Sequence, residues 1–491
     1  MQQSPVLQRD AFFVGGEWRG PAGTGRIEIV SPSTEEVIGS VPEAGDADVD
    51  AAVGAARRAF DAGDWPRLAV AERTAVLERA LQALEPRAAE IAAAVTAEMG
   101  VPIAIAEQLI PGAFWTARYF MGVAEREPLE ELRAGALNTA AVLREPVGVV
   151  ASIAPWNGPF NLAVAKIVPA LAAGCTVVFK PAPETPCDVF YLAEALSEVG
   201  LPPGVLNIVT GGRETGAALV AHPGVDKVSF TGSTAAGRQI GAVCGEQFKR
   251  VQLELGGKSA AIILDDADLA TTMQGLAMGS FFNSGQICAA FSRVLAPRSR
   301  YSEVVEALAA TARSFVLGDP FDRATTMGPL VSERQRTRVE GYIAAGEKEG
   351  AKVVTGGGRP ADLPQGWYVE PTVFADVDNS MRIAQEEIFG PVVAVIPHDG
   401  PDDAVRIAND SAYGLHGGVF TADEDAALRM ARAVRTGTFS VNSFVYNIEA
   451  PFGGVKCSGI GRDTGREAVA SYYELKTVNL PASMAERFSP S

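Results

Sequence analysis

Apolar residues recur at helical spacing over 46–63 and 72–84, with Ala, Arg and Glu between them, so two amphipathic helices are expected there. An Ala-rich helix is predicted over about 86–99 and another over about 103–124. The last carries Phe114, Trp115, Tyr119 and Phe120, an aromatic stripe whose spacing reads as core rather than ligand site. Ahead of these helices, residues 12–42 alternate short apolar runs with Gly, Pro and Ser, the pattern of small strands and turns.

From residue 137 the pattern changes. The stretch LNTAAVLREPVGVV (137–150) reads as an extended pair of strands around Pro146. Strand and helix then alternate: 147–153 with 160–173, 175–180 with 187–199, 205–210 with 214–221, and 226–230 with 234–245. Such alternation builds βαβ units on a parallel sheet. A second α/β region begins near Gly257, with the Cys288 helix and loop, helices at 301–313 and 332–349, and strands near 351–355, 391–396 and 417–420. The segment YYELKTVNL (472–480) predicts a final strand.

Composition narrows the class. A chain of 491 residues calls for two or three domains, and 47% hydrophobic with 21% charged residues is an ordinary globular balance. A net charge of −17 without a compensating basic stripe argues against a nucleic-acid partner. Five scattered cysteines suit a reducing compartment better than a disulfide framework. The first residues carry neither a basic n-region nor an apolar h-region. The most membrane-like segment, 161–179, is interrupted by Lys166, Pro169 and Gly174, so no membrane span and a cytoplasmic location are expected. His222, His398 and His416 lie in no motif and read as surface or loop residues, and no metal site is predicted.

Candidate chemistry centres on SFFNSGQICAA (280–290), where Cys288 follows a Gly-containing bend. Free cysteine is more often buried filler than nucleophile, so company matters. Glu254 lies in VQLELGGKS on an alternating apolar strand, where burial would raise its pKa toward that of a general base. Asn157 lies in SIAPWNGPF between a strand and a helix, although Asn before Gly also makes ordinary turns. A cysteine, a carboxylate and an amide supply nucleophile, water-activating base and oxyanion donor for a thioester mechanism. FTGSTAAG (230–237) follows a strand and opens a helix, a place for a phosphate at the helix N-terminus, although the fingerprint G-x-G-x-x-G is absent.

These stretches, with GCTVVFKPAPETP (174–186), EEIFGPV (386–392) and PFGGVKCSGIGRD (451–463), closely resemble the aldehyde dehydrogenase superfamily in order and spacing over nearly the whole chain. The resemblance implies an α/β, aldehyde-dehydrogenase-like fold: a Rossmann-type cofactor domain, an α/β catalytic domain and a β oligomerisation arm. It divides the chain into a dinucleotide-binding domain (1–124 and 146–256), a catalytic domain (257–458), an arm and tail (125–145 and 478–491) and a segment returning to the cofactor domain (459–477). A homotetramer or dimer is expected.

By the same resemblance, Cys288, Glu254 and Asn157 are catalytic, with Lys166 and Asp463 relaying protons around the base; many members carry glutamate where Asp463 stands. The cofactor, NAD with NADP as the alternative, would be held by Ile153, Trp156, Lys180, Glu184, Thr231, Gly232, Ser233, Leu255, Glu387 and Phe389. Many NAD-preferring members place a glutamate where this chain has Pro183, with Glu184 one residue on. The substrate pocket would be lined by Gly158, Leu162, Ala165, Ile287, Ala289, Tyr446 and Phe452. Several members carry bulky aromatics at the positions of Gly158 and Ala165, so a roomy apolar pocket for a bulky aromatic or terpenoid-like aldehyde is expected. Other classes fit less well. A crystallin-like relative would have lost Cys288, Glu254 or Asn157; CoA-acylating relatives typically lack the glutamate; a thiol hydrolase would need a histidine in these motifs.

Overall fold

The computed structural model describes residues 7–481 and residue 484. Its largest sheet has eight strands. Five are parallel, in the spatial order Arg250–Glu254, Lys227–Thr231, Val149–Ile153, Thr176–Lys180 and Leu206–Ile208. Each is followed, or joined to the next, by a helix, because parallel neighbours need a crossover. At both ends of the sheet the pairing turns antiparallel: Phe12–Val14 pairs with Leu206–Ile208 and carries Glu17–Arg19 on its outer side, and Gly459–Ile460 pairs with Arg250–Glu254. The inner strands read as continuous Val, Ile, Ala and Phe because helices cover both faces.

A second, seven-stranded sheet is parallel except at Lys352–Thr355, which runs against Thr372–Ala375. Its centre pairs Ser259–Ile263 with Phe291–Pro297 on one side and His416–Phe420 on the other. Of two smaller sheets, one has three antiparallel strands, Tyr473–Leu480, Thr139–Pro146 and Glu130–Ala134, and the other joins Leu7–Gln8, Val37–Pro42 and Arg26–Val30. The tail strand thus begins one residue later than expected, and the strand expected over 391–396 continues to His398. The expected tail beyond residue 481, apart from residue 484, lies outside the described residues.

Two expectations are corrected by burial. His398 and His416 are not surface residues: both are buried, on strands Val392–His398 and His416–Phe420. Their ring nitrogens are satisfied within the fold, His398 Nε2 by the Ile263 carbonyl at 2.9 Å and His416 Nδ1 by Thr438 Oγ1 at 2.8 Å. The aromatic stripe on helix Ile103–Arg126 is only half core. Phe114 and Phe120 are buried, whereas Trp115 is 51% exposed and stacks on Tyr119. Among the described residues no helix is long and apolar enough to cross a membrane, and no cluster of three or more His, Cys, Asp or Glu could hold a metal ion.

Candidate active site

Strand register places the site. Thr231 pairs with Glu254, Phe230 with both Ile153 and Leu253, and Ile153 with Lys180, so these residues align along the carboxyl edge of the first sheet. The chain leaves that edge through Gly256-Gly257 and starts the second sheet at Ser259, which pairs with Phe291. Cys288, three residues before Phe291, is thereby brought beside the Gly-Gly turn. The approach leaves no room for side chains: a Cβ on Gly257 would overlap the Cys288 carbonyl, and one on Gly256 would overlap the Glu387 carboxylate.

The segment before Cys288 is the least regular in the site. Helix Leu269–Leu276 loosens into a π-turn over Ala277–Phe281 and a 3₁₀ turn over Phe282–Gly285. Asn283, Ser284 and Gly285 all have positive φ, a sparsely populated conformation for the first two. Side chains hold it there. Ser284 Oγ donates to the Gly328 carbonyl at 2.7 Å, and Asn283 Nδ2 donates to the Asn157 carbonyl at 2.9 Å. Gln286, buried, accepts from Val331 N–H and donates back to the Asn283 carbonyl. Asn157 Nδ2 in turn donates to the Gln286 carbonyl at 2.9 Å, which uses one amide hydrogen and leaves the other for a ligand beside Cys288.

Electrostatics at the thiol are set by enclosure. Burial, then the carboxylates of Glu254 and Glu387, push the Cys288 thiol up to about 12, against the backbone N–H groups of Ala289 and Cys288 itself. Glu254 is buried with neither carboxylate oxygen hydrogen-bonded. Burial raises its pKa well above the usual carboxylate range, the nearby Asp463 adds to this, and Lys166 and Arg462 oppose it. Lys166, fully buried, donates to Asp463 Oδ2 at 3.3 Å. The structure therefore brings Cys288, Glu254, Asn157, Lys166 and Asp463 into one region.

Of the residues expected to hold a dinucleotide, Ile153, Lys180 and Thr231 end strands at the same sheet edge, Gly232 and Ser233 follow it, and Glu387 meets it at Gly257. Ser233 caps helix Thr234–Glu246, its Oγ accepting from Ala236 N–H at 3.3 Å. Gly232 sits over the Phe230 ring, where a Cβ would overlap the ring edge, and Gly237 is packed as closely on Leu255. Thr231 Oγ1 is buried without a protein partner, a hydroxyl available to a ligand. Glu387 accepts from Gly257 N–H at 3.0 Å and is raised to about 7, chiefly by burial. Phe389 meets Trp156 edge-on, ring centroids 5.3 Å apart. Lys180 turns inward, donating to the Pro181 and Gly211 carbonyls at 2.8 and 2.7 Å, and burial lowers its pKa to about 8. Glu184 pairs with Arg334 at 3.0 Å. This set fits a dinucleotide: a capped helix N-terminus and close backbone approach for phosphates, and a free hydroxyl and a carboxylate for a ribose.

Of the expected pocket residues, Ala289 is fully buried in the turn after Cys288. Gly158, Leu162, Ala165, Ile287 and Phe452 are half-buried, and Tyr446 is 45% exposed. A Cβ on Gly158 would meet only Leu162, at ordinary contact distance, so that wall has space for a ligand. Tyr446 packs edge-on against Phe444, Phe452 and His416, with centroids 5.1 to 5.7 Å apart. Burial, then the charge of the Cys288 thiolate, raises the Tyr446 hydroxyl well above the usual phenol range, so the thiol and this aromatic wall are neighbours. Three contributors escaped the sequence reading. Tyr119 donates to the carbonyl of Glu449, three residues past Tyr446 in the chain, at 3.1 Å, Phe444 extends the wall, and Gln252 donates to Asp463. Only Gln252 left a sequence signal, a polar residue two positions from Glu254 and hence on the same strand face.

Known proteins resemble the chain over its length. The model of the aldehyde dehydrogenase family matches residues 18–478. Geranial dehydrogenase from Castellaniella defragrans is 49% identical over 97% of this chain and 99% of its own. A 3-succinoylsemialdehyde-pyridine dehydrogenase from a Pseudomonas species is 43% identical over 95% and 98%. Among solved structures, a Mycobacterium tuberculosis aldehyde dehydrogenase complexed with NAD+ superposes with a TM-score of 0.95 at 49% identity, covering 97% of this chain and 99% of the other. A mutant of aldehyde dehydrogenase C from Pseudomonas syringae, complexed with NAD+ and octanal, gives 0.93 at 42% identity over 96% of each chain.

Proposed function

Because this chain belongs to the aldehyde dehydrogenase family, we propose that it oxidises a bulky, hydrophobic aldehyde, aromatic or terpenoid in type, to the carboxylic acid with NAD+. The observation that carries the substrate class is the pairing of open space at Gly158 with the aromatic wall of Phe444, Tyr446 and Phe452. Flat or branched apolar substrates gain area against such a wall, at about 25 cal/mol per Å² buried. The similarity to a geranial dehydrogenase supports the same reading. Relatives complexed with NAD+ support the coenzyme.

The roles follow from position. Cys288 Sγ attacks the aldehyde carbon, and the carbonyl oxygen takes up negative charge. The free amide hydrogen of Asn157 and the Cys288 backbone N–H receive that oxygen, a contribution on the order of 10²–10³ in rate per donor. The attacking form is the thiolate, and the thiol, held up to about 12 by burial and then by Glu254 and Glu387, releases its proton to solvent before the attack. NAD+, when bound, supplies the hydride acceptor that oxidises the carbon. Glu254 then removes a proton from water, which attacks the thioester on Cys288; the C–S bond breaks and the acid leaves. A raised pKa suits a base that must accept protons near neutrality, and Lys166 with Asp463 provides their next station.

The test is formation of reduced coenzyme from NAD+ and from NADP+ with short, acidic, aromatic and terpenoid aldehydes, using Cys288→Ala as the control. Turnover highest on aromatic or terpenoid aldehydes, and lost in the control, is expected. Equal turnover across the panel would sink the substrate class, and turnover surviving in the control would sink the role of Cys288.

A further inference from the structure

The strand that carries Glu254 presents a second polar side chain on the same face. Gln252, two residues earlier, is buried. Its Nε2 donates to Asp463 Oδ1, while Asp463 Oδ2 accepts from Lys166 Nζ at 3.3 Å. Lys166 donates also to Ser229 Oγ at 3.2 Å. The carboxylate is thus gripped from both sides, by an amide on one oxygen and an ammonium on the other.

The amide is itself held. Ser471 Oγ lies 3.2 Å from Gln252 Oε1 and 2.8 Å from the Ala468 carbonyl, so its one proton serves these two acceptors. Lys227, buried, donates to Ser471 Oγ at 3.0 Å and to the Ser471 carbonyl at 2.7 Å, which occupies one of the hydroxyl's two lone pairs. Turning the amide over would set its oxygen against the Asp463 carboxylate and its NH₂ toward Ser471. The network therefore selects the orientation in which the donor faces the acid. Gly461, at φ +90°, closes over the side chain: a Cβ there would stand 3.0 Å from Gln252 Cγ.

We propose that Gln252 is a positioning residue for the reaction, holding the Asp463 carboxylate against Lys166 and beside Glu254, with Ser471 and Lys227 fixing the amide that does so. The proposal rests on the reading of Glu254 as the base for thioester hydrolysis. Its consequence is electrostatic. The charge of Asp463 adds to the burial that raises Glu254, while Lys166 and Arg462 oppose both. Without the amide donor the acid is free to swing away from its like-charged neighbour, and Glu254 then ionises at lower pH.

The experiment compares the pH dependence of kcat in the unaltered enzyme, Gln252→Leu and the nearly isosteric Gln252→Glu. For Gln252→Leu the acid limb is expected to move down by about one pH unit and kcat at neutral pH to fall about tenfold. Because hydrolysis then limits turnover, a burst of about one reduced coenzyme per active site should precede the steady state, with kcat/KM for the aldehyde within about twofold of the original. Gln252→Glu, which adds a second acid beside Asp463, should move the limb upward. A limb unmoved in both variants, or kcat and kcat/KM falling together, would overturn the positioning role and leave Gln252 as packing. No turnover by the unaltered enzyme on any aldehyde would instead overturn the proposed function itself.

Discussion

Cys288 shows how far a single residue's chemistry depends on its enclosure. Two carboxylates and burial hold its thiol up to about 12, so the coenzyme-free protein stores the nucleophile as a thiol. Alkylation of Cys288 by iodoacetamide, followed by peptide mass spectrometry, should therefore be slow at neutral pH and keep rising to pH 9 and beyond; a plateau below pH 8 would contradict this. The same scale decides substrate size. Gly158→Phe fills space that now meets only Leu162, so kcat/KM for bulky aldehydes should fall at least about tenfold while a short aldehyde is spared. Equal losses on both would remove Gly158 from the pocket. Cys288, Glu254 and Asn157 could be named from sequence because each stands in a distinctive local motif. Gln252 and Tyr119 could not, because their roles come from partners 211 and 330 positions away.

At the scale of elements, the helix-to-turn passage before Cys288 is the costly one. Its three successive left-handed residues are tolerated because Asn283, Ser284 and Gln286 each exchange hydrogen bonds with neighbouring backbone. Gly285 has no such latitude, since a Cβ there would overlap the Gly390 carbonyl and Pro391 nitrogen. Gly285→Ala should lower stability by about 2 kcal/mol or more and displace Cys288, seen as a lower melting temperature together with lost activity. The elements read from apolar period lie within a residue or two of their observed bounds, whereas strands Ser259–Ile263 and Phe291–Pro297 and helices Pro401–Asn409 and Glu424–Ala433 were not read from the sequence. Nor was this turn. Its sequence, FNSG, is ordinary turn composition, and the conformation is imposed by contacts from elsewhere in the chain.

At the scale of the whole molecule, burial rather than composition governs the response to acid. His416 stacks on Phe291 in the second sheet and is held neutral, its pKa lowered to about 3 by burial. The unfolded chain takes up this proton below about pH 6.5, whereas the folded chain does so only near pH 3, so stability falls as pH drops between these values. The loss attributable to His416 should reach roughly 2 kcal/mol at pH 5. Urea midpoints at pH 7 and pH 5 would show it, with a smaller drop in His416→Gln; equal drops would assign the effect elsewhere. One three-stranded sheet carries the prediction on assembly. Among the described residues, both outer strands of the sheet of Tyr473–Leu480, Thr139–Pro146 and Glu130–Ala134 have one edge unpaired, and Leu475 on one of them is 65% exposed. Sedimentation equilibrium should give twice or four times the chain mass, and a monomer would exclude the sheet as an oligomerisation arm.

The sequence by itself determined the alternation of strands and helices, the parallel character of the first large sheet and the candidate nucleophile, base and amide. Those depend on residue period and on short motifs, which are local. Tertiary structure alone decided which histidines are buried and which half of the aromatic helix faces outward. It also decided how Asp463 is held, through a chain of contacts from Lys227 to Ser471 to Gln252. The reason is physical: burial, charge and hydrogen-bond partnership belong to surroundings assembled from distant segments, and no local pattern encodes which segments will meet.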